Sequence, residues 1–192
     1  MKNTITLFKS ITIFELVLTA VVAVALGVAF WGWTFVYELA KPILKVNGLS
    51  YLSAGFWIFA SVFLSQIVRK PGIAIIASIV AAFIESLLTH WGIMSVFWGL
   101  VQGLGAELIF FLFLYNKWDL KVLVLAAVVS AFFSYCLDFF LYDYKNLSLA
   151  INITQLFSFL ISAALLAGFL SVLVSRRLIK LGILDQFLIA KE

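Results

Sequence analysis

The run "LVLTAVVAVALGVAFWGWTFV", residues 16–36, is 21 residues long and carries no charged side chain. At ~1.5 Å of rise per residue, a helix of this length crosses the roughly 30 Å of hydrocarbon in a bilayer. Lys2 and Lys9 precede it and Ala23 to Ala25 offers a small-x-small pattern, as in a secretory leader. A leader's apolar region is only about 7–15 residues long, so the run reads as a retained first span.

The remainder of the chain has the same character. Its 192 residues are 65% hydrophobic and 11% charged, with a mean hydropathy of +1.19. A soluble domain is about half apolar, so this surplus needs lipid as its solvent. Apolar runs place six helices at residues 16–39, 51–68, 73–91, 93–115, 122–142 and 151–174. The expected fold is an all-α integral membrane protein, a six-transmembrane-helix bundle, with residues 1–192 as a single membrane domain. Pro42 and Pro71 fall between runs, where helices stop. Connections are short, so consecutive helices are expected to be antiparallel neighbours.

The formal charge of +4 does not indicate nucleic acid, because Lys and Arg cluster at the ends of the spans. Counted by alternate loops, Lys2, Lys9, Arg69, Lys70, Lys117, Lys121, Arg176, Arg177, Lys180 and Lys191 share one side, and Lys41, Lys45 and Lys145 the other. The positive-inside rule then puts both termini in the cytoplasm, with the protein in a prokaryotic plasma membrane. After residue 174, "SRRLIKLGILDQFLIAKE" reads either as an amphipathic segment on the anionic inner surface or as a frayed helix end. Cys136 has no partner for a disulfide, and no cofactor or metal cluster is expected. No G-x-x-x-x-G-K-[ST] phosphate loop occurs, so energy for active transport must come from a partner or an ion gradient.

Within the spans lie Glu85, Gln102, Glu107 and Asp138. A carboxylate facing lipid at mid-bilayer costs roughly 2.5–3.5 kcal/mol or more, so these groups should face the bundle interior. Spacing agrees: Ser78, Ala82, Glu85 and Thr89 form one stripe, Ser130, Ser134, Asp138 and Tyr142 another, and Asn152, Gln155, Phe159 and Ser162 a third. On the fourth span Trp98 and Gln102 share a face, with Gly99, Gly103 and Glu107 on the adjoining one. Charge-based orientation puts Glu85, Trp98, Gln102, Asp138 and Asn152 in the outer half and Glu107 deeper. A shared cavity opening outward is the expectation.

Its candidate binding residues are Glu85, Gln102, Asp138, Trp98, Tyr135, Trp57, Trp33, Tyr37, Asn152, Gln155, His90 and Glu107. Carboxylates beside aromatic faces suit a flat cationic or amino-heteroaromatic solute. Other readings stay open. Trp33 and Tyr37 also fit an interfacial aromatic belt, His90 fits the interface, and Glu107 fits an interhelical hydrogen bond enabled by close approach at Gly99 and Gly103. Ala25 and Ala29, with Ala23 and Gly27 beside them, make a flat strip that either packs internally or docks another membrane subunit.

The run "RKPG" entering a span that ends near "ESLLTHWG", followed by "LVQGLGAEL", together with "GWTFVY" at residues 32–37, resembles the YkoE-type substrate-binding (S) components of energy-coupling factor (ECF) vitamin transporters. The resemblance covers most of the chain. It implies a six-helix S component that captures thiamine or its hydroxymethylpyrimidine precursor from outside. It further implies a transmembrane coupling subunit and two cytoplasmic ATPases as partners, with toppling in the membrane to release the vitamin inward. Ala25 and Ala29 match the Ala-x-x-x-Ala strip by which such components meet the coupling subunit. Under this reading Glu85 and Gln102 read the pyrimidine, and Asp138 with Trp or Tyr faces the thiazolium. The chain is not expected to be an enzyme, since no nucleophile and base stand at a working spacing. The alternative function is a stand-alone proton- or sodium-coupled secondary transporter, disfavoured by small size and the lack of an inverted repeat.

Overall fold

The structure, a computed structural model, describes residues 10–45, 48–187 and 189. Lys2, Lys9 and Lys191 lie outside these residues. The described residues are helical, with no strand among them. Helix α1 spans Ile13–Lys45, and a 3₁₀ segment, Ser50–Ile58, leads into α2, Phe59–Val68. Then come α3 (Ile73–Leu88), α4 (Ser95–Leu112) and α5 (Leu120–Leu141). Helix α6 (Leu149–Ala163) continues through a π turn, Ala164–Phe169, into α7 (Leu170–Lys180). This is the helical architecture expected of a membrane bundle: among the described residues five apolar helical stretches are long enough to span, and α3, at 16 residues, is a shorter apolar helix.

The helix limits follow local chemistry. Thr12 and Glu15 form a reciprocal box at the start of α1: Thr12 N–H donates to Glu15 Oε2 (2.7 Å), and Glu15 N–H to Thr12 Oγ1 (3.3 Å). Asp119 caps α5 by accepting from Val122 N–H, and Ser148 caps α6 by accepting from Ile151 N–H. Arg69 in the left-handed region (φ 57°) ends α2, and Gly72 (φ 84°) opens α3, with Pro71 between them. Pro42, by contrast, does not stop α1, which runs on to Lys45. In the last turn a proline removes one backbone bond near an end whose carbonyls are already unpaired, a cost the helix absorbs.

Helix α2 is the axis of the bundle, and every residue from Phe59 to Val68 is buried. Around it α3 packs on α4, α4 on α5, and α5 on α6, while α1 lies mainly against α3 rather than against its successor. Glycines set the spacing. A Cβ on Gly103 would stand 2.7 Å from Ile75 Cα, and one on Gly105 would stand 2.6 Å from Ser130 Cα. Helix α4 therefore touches α3 through Gly103, and through Gly99 against Ser78 and Ala82, and touches α5 through Gly105. Helix α1 turns Thr19, Ala23, Gly27, Phe30 and Thr34 inward. It leaves Val17, Val21, Val24 and Val28 exposed, as a lipid-facing helix should.

The terminal end of the bundle carries the start of α1, the α2–α3 and α4–α5 turns, and the end of α7. The opposite, loop end carries the other connections. At the terminal end the described residues after Lys180 pack against the bundle. Leu184, Phe187 and Ile189 are buried, and the Phe187 ring stacks on Phe14 at 6.1 Å.

Candidate functional site

Two buried carboxylates organise the loop end. Glu85, 3% exposed on the last turn of α3, accepts from Trp57 Nε1 at 2.6 Å, with Thr34 Oγ1 3.4 Å away. Asp138, 5% exposed near the end of α5, accepts from Trp98 Nε1 at 2.6 Å on one oxygen and from the Tyr51 hydroxyl at 2.7 Å on the other. Tyr144 stands 3.1 Å from the Tyr51 hydroxyl and extends this chain. All of these donors are neutral, and the ion pairs at Glu38, Glu15 and Asp143 leave both carboxylates aside. Neither Glu85 nor Asp138 meets a Lys, Arg or His among the described residues. Buried charge is ordinarily compensated by a partner of opposite sign, and the described residues supply none to these two carboxylates.

Aromatic rings wall the space near these groups. Tyr37 meets Trp57 edge-on at 5.2 Å and Trp91 at 6.1 Å, and Trp57 meets Trp91 at 5.3 Å. On the Asp138 side Trp98 stacks on Tyr142 at 6.0 Å, and Tyr142 lies 6.0 Å from Tyr144.

A third cluster adjoins Asp138. Tyr135 donates to Asn152 Oδ1 at 2.8 Å, lies 3.5 Å from Gln155 Oε1, and sets its ring 5.7 Å from Tyr51. Asn152 in turn donates to the Tyr144 carbonyl at 2.9 Å, which fastens the α5–α6 turn.

The structure thus brings together Glu85, Asp138, Trp57, Trp98, Tyr37, Tyr135, Asn152 and Gln155 at the loop end. Gln102 lies one turn beyond Trp98 on α4 and is buried, and its carbonyl accepts from Ser130 Oγ at 2.8 Å. His90 is exposed at the rim, its ring 5.3 Å from Trp91. Trp33 is committed to the fold: its indole N–H donates to the Ser53 carbonyl at 2.8 Å, and its ring packs on Phe56 at 4.8 Å.

Glu107 is separated from this group. It lies at the terminal end, where Oε1 accepts from Gly72 N–H and the Tyr115 hydroxyl, each at 2.6 Å, and Oε2 accepts from Ala74 N–H at 3.2 Å. Those amides open α3, so Glu107 caps that helix from across the α3–α4 contact. Burial and the adjoining carboxylate push the Tyr115 hydroxyl's ionisation well above the usual phenol range, which keeps it a donor.

Cavities of about 170 and 370 Å³ lie toward the terminal end. At the loop end tryptophan N–H groups occupy acceptor positions on both Glu85 and Asp138. Thr34, Tyr51, Trp91 and Tyr144 take part in this region without being singled out by sequence. Of these, only Thr34, a polar residue in an apolar run beside Trp33, left a trace in the pattern.

On α1, Ala25 and Ala29 are exposed, whereas Ala23 and Gly27 are buried against the bundle. The strip therefore divides, and its Ala25–Ala29 half faces away from the protein.

Three comparisons bear on this geometry. Residues 14–133 match the family described as ABC-type cobalt transport system, permease component. The chain is 33% identical over 185 residues, 96% of its own length and 92% of the relative's, to a candidate HMP/thiamine permease protein, YkoE, of Bacillus subtilis (strain 168). A crystal structure of an S-component of an ECF transporter matches with a TM-score of 0.89 and 32% identity, covering 95% of this chain and 92% of that one.

Proposed function

This chain belongs to the YkoE-type S components of ECF transporters, a multi-pass plasma-membrane transport family, and from that premise we propose that it captures thiamine or its hydroxymethylpyrimidine precursor. The observation that carries the reading is the pair of buried carboxylates, Glu85 and Asp138, held only by neutral donors amid aromatic rings. Thiamine answers both: an aminopyrimidine supplies N–H donors and ring nitrogens, and a thiazolium supplies positive charge that aromatic faces and a carboxylate attract. Glu85 with Gln102 reads the pyrimidine, and Asp138 with Trp98 and Tyr142 faces the cation. Tyr37, Trp57, Tyr135, Asn152 and Gln155 shape the walls, and His90 marks the rim. A cobalt cargo is less well served, because no three His, Cys, Asp or Glu residues converge among the described residues.

The proposal includes the topology. At the terminal end stand Arg69, Lys70, Lys117, Lys121, Arg176, Arg177 and Lys180, against Lys41, Lys45 and Lys145 at the loop end. This imbalance supports cytoplasmic termini and a site that faces outward in one six-helix domain. A transmembrane coupling subunit docks on Ala25 and Ala29, and two ATPases supply the energy for uptake.

The test is calorimetric titration of the purified chain with thiamine and with hydroxymethylpyrimidine. Asp138→Asn is expected to weaken thiamine by about 10- to 100-fold, the loss of one charge-assisted contact of roughly 1.5–3 kcal/mol, and to spare the uncharged pyrimidine. Glu85→Gln is expected to weaken both. Undiminished affinity in both variants overturns the arrangement.

A further inference from the structure

A groove of about 370 Å³ lies against the last turns of α7, lined by Leu173, Arg176, Arg177, Ile179 and Lys180. Leu173, Arg176, Arg177 and Lys180 stand at i, i+3, i+4 and i+7, which is one helix face, and all four are exposed. Lys41, Lys70 and Lys145 are each paired with a carboxylate, but Arg176, Arg177 and Lys180 pair with none among the described residues. Three uncompensated cations thus converge on one concavity at the edge of the apolar bundle.

The same face continues into the bilayer. Leu165, Phe169 and Leu173 are 57, 51 and 45% exposed. On a regular helix a stride of four residues drifts steadily around the axis, but the wider π turn at Ala164–Phe169 offsets that drift and keeps the three side chains in one column. A cationic head above an apolar column is the complement of a phosphodiester that carries acyl chains. Guanidinium groups take phosphate oxygens two at a time, and a zwitterionic headgroup would bring its own ammonium into the cluster.

We propose that this face holds one anionic phospholipid, its phosphate among Arg176, Arg177 and Lys180 and an acyl chain along Leu173, Phe169 and Leu165. The site is separate from the carboxylates of the loop end and does not depend on which solute they bind. It gives the end of α7 a fixed depth in the interface, since lipid phosphate defines that plane.

The test uses the full chain in detergent, titrated with phosphatidylglycerol or phosphatidylcholine, with bound lipid counted by native mass spectrometry. The chain is expected to retain one phosphatidylglycerol in preference to phosphatidylcholine. Arg176→Gln with Arg177→Gln should weaken it by about fivefold per cation, some 25-fold in all. Lys117→Gln with Lys121→Gln removes the same charge from the same end of the bundle, away from the groove, and should leave retention unchanged. Both pairs are exposed, so melting temperature and solute affinity should hold. Equal loss in the two double variants, equal retention of phosphatidylcholine, or displacement of the lipid by an equal concentration of inorganic phosphate would each overturn the proposal.

Discussion

Replacing Glu107 separates a carboxylate that builds the fold from those proposed to bind solute. Its two oxygens accept from Gly72 N–H, Ala74 N–H and the Tyr115 hydroxyl. Hydrogen bonds to a charged group contribute about 1.5–3 kcal/mol each, and stranding a partly buried donor costs about 1–3 kcal/mol. Glu107→Ala strands two backbone amides at the first turn of α3, while the Tyr115 hydroxyl can turn toward water. A net loss of about 2–4 kcal/mol follows. Glu107→Gln keeps one acceptor oxygen and loses the bond to Ala74, at about 1–2 kcal/mol. For a chain of this size each kcal/mol lowers the melting temperature by about 2–4 °C, so thermal unfolding in detergent should show drops of about 4–16 °C for alanine and about 2–8 °C for glutamine. Affinity of the folded protein for thiamine should be unchanged in both variants. An unaltered melting temperature for Glu107→Gln with thiamine binding weakened tenfold would refute the capping role and return Glu107 to the solute site.

Two further outcomes test the packing and the docking face. Gly105→Ala should destabilise the bundle by about 1–3 kcal/mol through overpacking, because its Cβ would stand 2.6 Å from Ser130 Cα. Gly32→Ala, with nothing within 4 Å, should be neutral or slightly stabilising in the same melting assay. Ala25→Leu with Ala29→Leu should leave melting temperature and thiamine affinity intact, since both positions are exposed. The same pair should abolish ATP-driven uptake by the assembled transporter, and retained uptake would remove this face as the docking surface.

The helices were legible because lipid demands long unbroken apolar runs, and the chain supplies them. Their ends were legible only where a residue forces the backbone. Pro71 and Gly72 stop one helix and start the next, as expected, but Pro42 is passed over because its lost bond falls in a terminal turn. Helix α7 outruns the apolar run that ends near residue 174 because leucine, arginine and lysine sustain a helix after hydropathy has fallen. The burial of Glu85 and Asp138 was readable from cost alone. Trp57 and Trp98 stood among the candidates, but which carboxylate each holds was not readable, because an indole N–H bonded to a carboxylate leaves no periodic trace in sequence. Glu107 shared the composition of the site residues and the depth of none of them.

The winding of the Ser50–Ile58 segment joins the two carboxylates. Tyr51 holds Asp138 and Trp57 holds Glu85, six residues apart on one segment. In an α-helix of 3.6 residues per turn, positions six apart point about 120° away from each other. In a 3₁₀ helix of three residues per turn they share a face, about 12 Å apart along the axis at ~2.0 Å per residue. Reading residues 51–68 as one α-helix therefore sends Trp57 away from the side that Tyr51 serves, whereas the tighter coil aims both at carboxylates on different helices. Gly55, between them, is pressed against the Ser162–Ala163 backbone, where a Cβ would come within 2.3 Å. This contact fixes the segment against α6, so one element positions both Trp57 at Glu85 and Tyr51 at Asp138.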